Sequence, residues 1–272
     1  MIEGDTRPVT AAAAGAPAGS AASPLPEVQQ VRLADIGAVL AAGWRDFLRA
    51  PLFGLFFSAV YVMGGAVIWQ VYTAAGAEWW LIPVFVGFPL LAPFAATGLY
   101  EVSRRLEAGQ ALDWRGVLGV VFAQRQRQVP SMAMLILLMF MFWVFVAHTI
   151  FALFMGLSAM TNVSSSFEVL WTGNGLIMLA VGSAVGAGFA AVLFSVTAGG
   201  LPMLLEREVD FVSAMIRSVQ AVTANAAVMA VWGAVIAALL FAAMLPMFLG
   251  LFVVLPVLGH ATWHMYRKLL GA

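Results

Sequence analysis

Long runs with no charged side chain alternate along this chain with shorter segments that mix arginines, carboxylates and periodically spaced apolar residues. The first uncharged run extends from Leu52 to Ala74, and Leu81 to Tyr100 forms a second after Glu78, Trp79 and Trp80. Ser131 to Leu157 and Gly175 to Leu201 are a third and a fourth. About 20 apolar residues rising 1.5 Å each cross a bilayer core of about 30 Å, so each of these runs predicts a transmembrane helix. From Ala224 to Gly259 the chain is again uncharged. As one straight helix, those roughly 36 residues would reach about 54 Å, too long for a single crossing. A turn near Pro246–Gly250 resolves the run into two spans. The pattern therefore predicts an all-α, polytopic membrane helical bundle of six transmembrane helices, at about 52–74, 79–100, 131–157, 175–201, 224–245 and 249–266.

The polar segments between the runs have a pattern of their own. Leu33, Ile36, Gly37, Leu40, Trp44, Phe47 and Leu48 recur at three and four, with Asp35, Arg45, Asp46 and Arg49 largely on the other side. Such an amphipathic helix suits the membrane interface. Trp114, Val117, Leu118, Val121 and Phe122 repeat the device, as do Val209, Val212, Ile216 and Val219. Each is followed by a break, at Pro51, Pro130 and about Asn225, and then by two spans. The plan is three hairpins, each preceded by an amphipathic helix. Internal triplication and simple alternation of long and short loops both produce it. Residues 1–30, rich in Ala, Pro, Gly and Ser, show no periodic face and are expected to be a disordered tail ahead of a membrane domain over 31–272.

Composition agrees with this reading and removes several alternatives. Of the 272 residues, 63% are hydrophobic and 10% charged, against about 25% charged in soluble domains. The net charge is +0, which provides no basic bulk for nucleic acid. Cysteine is absent, so disulfides and thiolate chemistry are excluded. All 13 basic residues fall in the tail, the amphipathic segments or the C-terminal end, whereas the opposite loops hold only Glu78 and Glu168. The positive-inside rule then places both termini and all three amphipathic helices in the cytoplasm.

Candidate chemistry is sparse. His260 and His264, one helical turn apart, have a spacing that serves metal or haem ligation and equally an interfacial belt with Trp263, Tyr266, Arg267 and Lys268. His148 lies inside the third span, where an imidazole is either functional or a hydrogen-bonded packing group. Met132, Met134, Met139 and Met141 suit copper or ordinary apolar packing. Arg104, Arg105, Arg115, Arg125 and Arg127 are candidate contacts for anionic lipid or a protein partner, besides setting topology. Phosphate-binding loops, HExxH, GxSxG and dinucleotide fingerprints do not occur, and no span carries an acidic residue. No cofactor is therefore expected; haem or copper is the form one would take. Gly182 and Gly186, four apart, allow close helix contact.

Two stretches carry a family resemblance: GWRDFLRAPLFGLFFSAVY, from Gly43 to Tyr61, and GLYEVSRRLEAGQALDW, from Gly98 to Trp114. Through them the chain resembles a bacterial family of predicted integral membrane proteins, DUF2189, over about residues 32–268. The resemblance implies a multi-pass protein of the bacterial inner membrane. Some members are described as cytochrome c oxidase subunits. Oxidase catalytic subunits are longer and carry a full set of haem and copper histidines, whereas this chain has three histidines in all. What the resemblance implies is therefore a non-enzymatic accessory, assembly or scaffold role beside a respiratory complex. The alternative is a small-solute or lipid-handling transporter, with a cavity between the proline-rich second span and the glycine-rich fourth.

Overall fold

The computed structural model describes residues 24–73, 81–156 and 171–271. Ten α-helices occur among them: α1 (Leu33–Arg49), α2 (Pro51–Thr73), α3 (Leu81–Glu107), α4 (Trp114–Ala123), α5 (Val129–Met155), α6 (Gly173–Thr197), α7 (Gly200–Glu206), α8 (Phe211–Ala224), α9 (Ala226–Met244) and α10 (Leu251–Leu270). A short 3-10 turn, Gln124–Gln126, joins α4 to α5. Among the described residues there is no strand.

The helix boundaries follow the expected breaks. Pro51 opens α2, which departs from α1 at 103°, so the two helices meet nearly at right angles. Pro130 occupies the first turn of α5, where its missing N–H costs nothing. Asn225 separates α8 from α9. Its side chain accepts from Val31 N–H at 2.9 Å and donates to the carbonyls of Gln29 and Ala221, each at 3.0 Å. Gln29 N–H in turn donates to the Leu269 carbonyl at 2.8 Å. Residues 24–30, expected within the disordered tail, are thus part of an extended segment fastened to the bundle; the rest of that tail lies outside the described residues. Between α9 and α10 the expected turn appears at 245–250, with Met247 (φ 53) and Phe248 (φ 65) in the left-handed region.

Helix α10 is the axis of the bundle. Helices α1, α2, α3 and α9 pack against it, α5 packs on the far side of α3, and α6 packs on α5. The core draws Val39, Tyr100, Met132, Met203, Trp232, Trp263 and Tyr266 from six different helices. Composition alone makes α5, α6 running into α7, and α9 long and apolar enough to cross a membrane; α1 and α2 together pass as one bent pair. The described residues thus provide three candidate spans, or four with that pair, where hydropathy along the chain predicts six. Helix α10 is less apolar than these because His260, His264, Arg267 and Lys268 crowd its second half, most of which is buried or half-buried in protein.

Two amphipathic helices are turned differently from the simple expectation. In α1 only Ile36, Val39, Gly43, Asp46 and Phe47 are buried, while Leu33, Trp44 and Leu48 stay exposed. In α8 the small residues Ala214, Ser218 and Ala221 face inward and Val212 and Ile216 outward. Each helix is therefore apolar on two sides, one side covered by protein.

Close approach of α1 to α10 rests on Gly43. A Cβ there would lie 2.5 Å from the Val257 carbonyl oxygen and 2.7 Å from the Ala261 nitrogen, backbone atoms that cannot swing aside. A Cβ on Gly37 in the same helix would meet nothing within 4 Å. Gly43→Ala is expected to destabilise the protein by about 1–3 kcal/mol through overpacking. Gly37→Ala is expected to stabilise it by up to about 1 kcal/mol through helix propensity. Thermal unfolding in a mild detergent reads both; equal effects would contradict the packing.

Candidate functional site

Polar side chains converge at one end of the bundle, where α1, α3, α7 and α10 meet. Asp46 comes from the inward face of α1 and is buried, with 6% of its surface exposed. Its Oδ2 accepts from the Ser103 hydroxyl at 2.9 Å and from His264 Nε2–H at 2.7 Å. Because the Ser103 proton is directed to the carboxylate, the Ser103 oxygen is the acceptor for His260 Nδ1–H, 2.8 Å away. His260 is fully buried, and its Nε2 has no polar partner among the described residues. The four groups form one chain, Asp46 at its centre, that ties α1 and α3 to α10.

A second group begins at Glu101, which is completely buried. It accepts from Arg104 Nε at 2.7 Å and from Arg105 Nε at 2.7 Å, the i,i+3 and i,i+4 neighbours on the same face. These hydrogen bonds hold the Arg104 guanidinium above its usual range. Arg105 continues to the Ala111 carbonyl and Asp113. Helix α3 ends in a Schellman motif: Gly109 takes φ 63, its N–H meets the Leu106 carbonyl, and Gln110 N–H reaches the Arg105 carbonyl. Asp113 then caps α4 by accepting from Gly116 N–H at 2.7 Å. The short loop between α3 and α4 is therefore held by bonds at both ends.

A third group joins α7 and α3 to the end of α10. Glu206 accepts from the Tyr266 hydroxyl at 2.5 Å and from Arg267 at 2.7 Å. Glu107 accepts from Trp263 Nε1–H at 3.1 Å and from Arg267 at 3.3 Å. Lys268 closes on Asp35 at 2.7 Å, and Arg127 reaches the Leu205 and Arg207 carbonyls and Glu208. Residues from the first helix to the last are thus joined at a single end of the molecule.

The expected site residues separate into three kinds. His260 and His264 do share a face, but they bind Ser103 and Asp46 rather than forming an exposed belt. Among the described residues no group of three or more His, Asp or Glu side chains is arranged to hold a metal ion. Arg104, Arg105 and Arg127 are engaged in the internal bonds just described, whereas Arg115 and Arg125 are exposed without an ion pair among the described residues. His148 is exposed on α5, its Nδ1–H donating to the Val144 carbonyl one turn back at 2.7 Å. Asp46, Ser103, Glu107 and Glu206 were not singled out from sequence. The sequence pattern sets Asp46 largely on the polar side of α1; in the structure it instead falls on the same side as Ile36, Val39, Gly43 and Phe47, an acidic residue within the buried arc.

The grooves elsewhere are apolar and open. One, of about 320 Å³, runs between α5 and α6 and is lined by Trp143, Ile150, Phe151, Met178, Gly182 and Gly186. Gly186 seats the Trp143 ring, which a Cβ would approach to 2.9 Å. The groove does not lie between the second and fourth predicted spans, because α5 stands between α3 and α6.

Burial opposes ionisation of Asp46, but the hydrogen bonds from His264 and Ser103 outweigh it and hold the carboxyl below its ordinary value of 3.8. A depressed carboxyl contributes stability that is complete above the unfolded value and is lost as pH falls through the native one. The melting temperature of the wild-type protein should therefore drop on acidification below about pH 4, and Asp46→Asn should drop less over the same interval. Parallel melting curves measured at about pH 5 and pH 3 would show Asp46 to be uncoupled from folding.

Neither the curated proteins nor the solved structures include a significant match to this chain. Residues 81–206, from the start of α3 to the end of α7, match the family described as predicted integral membrane protein (DUF2189), and it is to this family of membrane proteins that the chain is similar.

Proposed function

We propose that this protein is a non-enzymatic accessory or scaffold factor of the bacterial inner membrane that engages another membrane protein through the outer face of α5. The observation that carries the reading is His148. It shares one face of α5 with Met134, Leu138, Met141 and Phe145, all exposed and all apolar. Its Nδ1 is occupied by Val144, which leaves Nε2 free among the described residues. An imidazole facing hydrocarbon is costly, and transmembrane helices relieve that cost by hydrogen bonding across a helix interface, worth about 0.6 kcal/mol on average. Thr149 lies beside it and is also exposed. A partner helix presenting one polar group to this position fits the face.

The reading includes six spans as three hairpins with both termini cytoplasmic, supported by the gathering of basic segments at one end of the bundle and by the positive-inside rule. A respiratory complex is the partner class that the family resemblance brings forward. Lipid handling is the second reading, and the apolar groove between α5 and α6 favours it, since its apolar lining suits an acyl chain.

The test is a photoreactive residue introduced at Phe145 of the tagged full-length protein in membranes, with Phe241 on α9 as the control position. One defined protein adduct at 145, absent at 241 and lost on His148→Leu, is expected. Oxidase subunits in that adduct, or haem or copper co-purifying and lost on the same substitution, establish the respiratory link. Labelling of lipid alone at both positions contradicts the scaffold reading. For orientation, alkaline phosphatase fused after Ser165 should be active and after Gly109 inactive; the reverse pair overturns the topology.

A further inference from the structure

We propose that α1 is an in-plane anionic-lipid anchor, with Arg45 and Arg49 as the headgroup ligands and Trp44 and Leu48 as the adjoining apolar contacts. Three independent features lead here. The first is direction: α2 departs from α1 at 103°, so when α2 crosses the bilayer α1 lies close to its plane. The second is the division of the α1 surface. Val39, Gly43, Asp46 and Phe47 are committed to the protein, whereas Leu33 (59% exposed), Trp44 (45%) and Leu48 (58%) form a separate outward stripe, Trp44 leaning on the Phe47 ring at its edge. The stripe continues into the exposed Leu52 at the start of α2.

The third feature is charge. Arg45 and Arg49 are one helical turn apart at the edge of that stripe, both exposed, and neither makes an ion pair among the described residues. Five other basic groups at this end, Arg104, Arg105, Arg127, Arg267 and Lys268, pair with carboxylates, whereas Arg115 and Arg125 share the unpaired state of Arg45 and Arg49. Asp35 and Asp46, the two carboxylates on α1, are held by Lys268 and by His264 with Ser103, so neither neutralises the pair. Two unpaired guanidiniums at the rim of an apolar stripe with an interfacial tryptophan complement a phospholipid phosphate above its acyl chain. Helix α4 extends the surface: Trp114 stacks on Phe53 at 4.0 Å and meets Phe56 edge-on at 5.3 Å, and the exposed Arg115 follows it. The α1–α2 corner and the start of α4 thus flank the first turns of α2, with basic residues on both sides.

The experiment uses the full-length protein reconstituted in vesicles of phosphatidylcholine and phosphatidylglycerol at about 3:1. Spin-labelled lipid of either type reports the fraction held at the protein surface. Selectivity for the anionic lipid is expected in the wild type and should fall about fivefold for each arginine removed, on the scale of a basic residue near an anionic leaflet. Arg45→Gln with Arg49→Gln should abolish most of it, while Arg45→Lys with Arg49→Lys should retain it. Unchanged selectivity in the glutamine variant overturns the proposal. Equal loss in the lysine variant overturns it as well, because the effect would then follow from disturbed structure rather than from charge at the headgroup.

Discussion

A polar group taken into a low-dielectric bundle must bring its partners with it. That constraint organises this molecule. Helix α10 carries two histidines, a tryptophan, a tyrosine and an arginine in its second half, and all five are buried or half-buried. Each is matched by a group from elsewhere: Asp46 from α1, Ser103 and Glu107 from α3, Glu206 from α7. These bonds have a geometry that apolar packing lacks, so they select one register of α1, α3 and α7 against α10. Gly43 and Gly98 then allow the helices to close, since a Cβ on Gly98 would collide with the Phe57 ring. Gly43 therefore acts at a polar-matched interface, α1 on α10, and Gly98 at the adjoining contact of α2 with α3.

The family-like stretch from Gly98 to Trp114 acquires a physical meaning in this setting. Gly98 permits the α2–α3 contact, Glu101 gathers two arginines, Ser103 bridges Asp46 and His260, and Glu107 clamps Trp263 and Arg267. Gly109 and Asp113 turn the chain into α4, and Trp114 stacks on α2. Nearly every distinctive residue of the stretch holds an architecture together. On the outward faces, His148 Nε2, Arg45, Arg49, Arg115 and Arg125 have no ion pair or hydrogen-bond partner of this kind among the described residues, while inside the bundle His260 Nε2 also stands without one.

Much of this was legible along the chain. The breaks at Pro51, Pro130 and Asn225, the turn near Pro246 and the one-sided clustering of basic residues all follow from local chemistry, which sequence records directly. The rotation of the amphipathic helices was not legible. A stripe such as Leu33, Ile36, Trp44 and Phe47 identifies an apolar helix, but protein and lipid accept the same side chains, so sequence cannot divide the stripe between them. For the same reason the second half of α10 reads as an interfacial belt, although its polar residues are partnered inside the bundle. Those partners lie 60 to 233 residues away, for example Glu206 with Tyr266 and Asp35 with Lys268, and nothing local announces them.

The central claim is that Asp46 and the α10 histidines act as one structural unit. A double-mutant cycle over Asp46→Ala and His264→Ala, read by unfolding free energy in a fixed detergent, addresses it most directly. Removing Asp46 leaves two donors without an acceptor, and removing His264 relieves part of that loss. A coupling energy of about 1 kcal/mol or more is expected for groups in one network. Additive effects within about 0.3–0.5 kcal/mol would mean that the two residues contribute independently, and the node would then be only a set of neighbours.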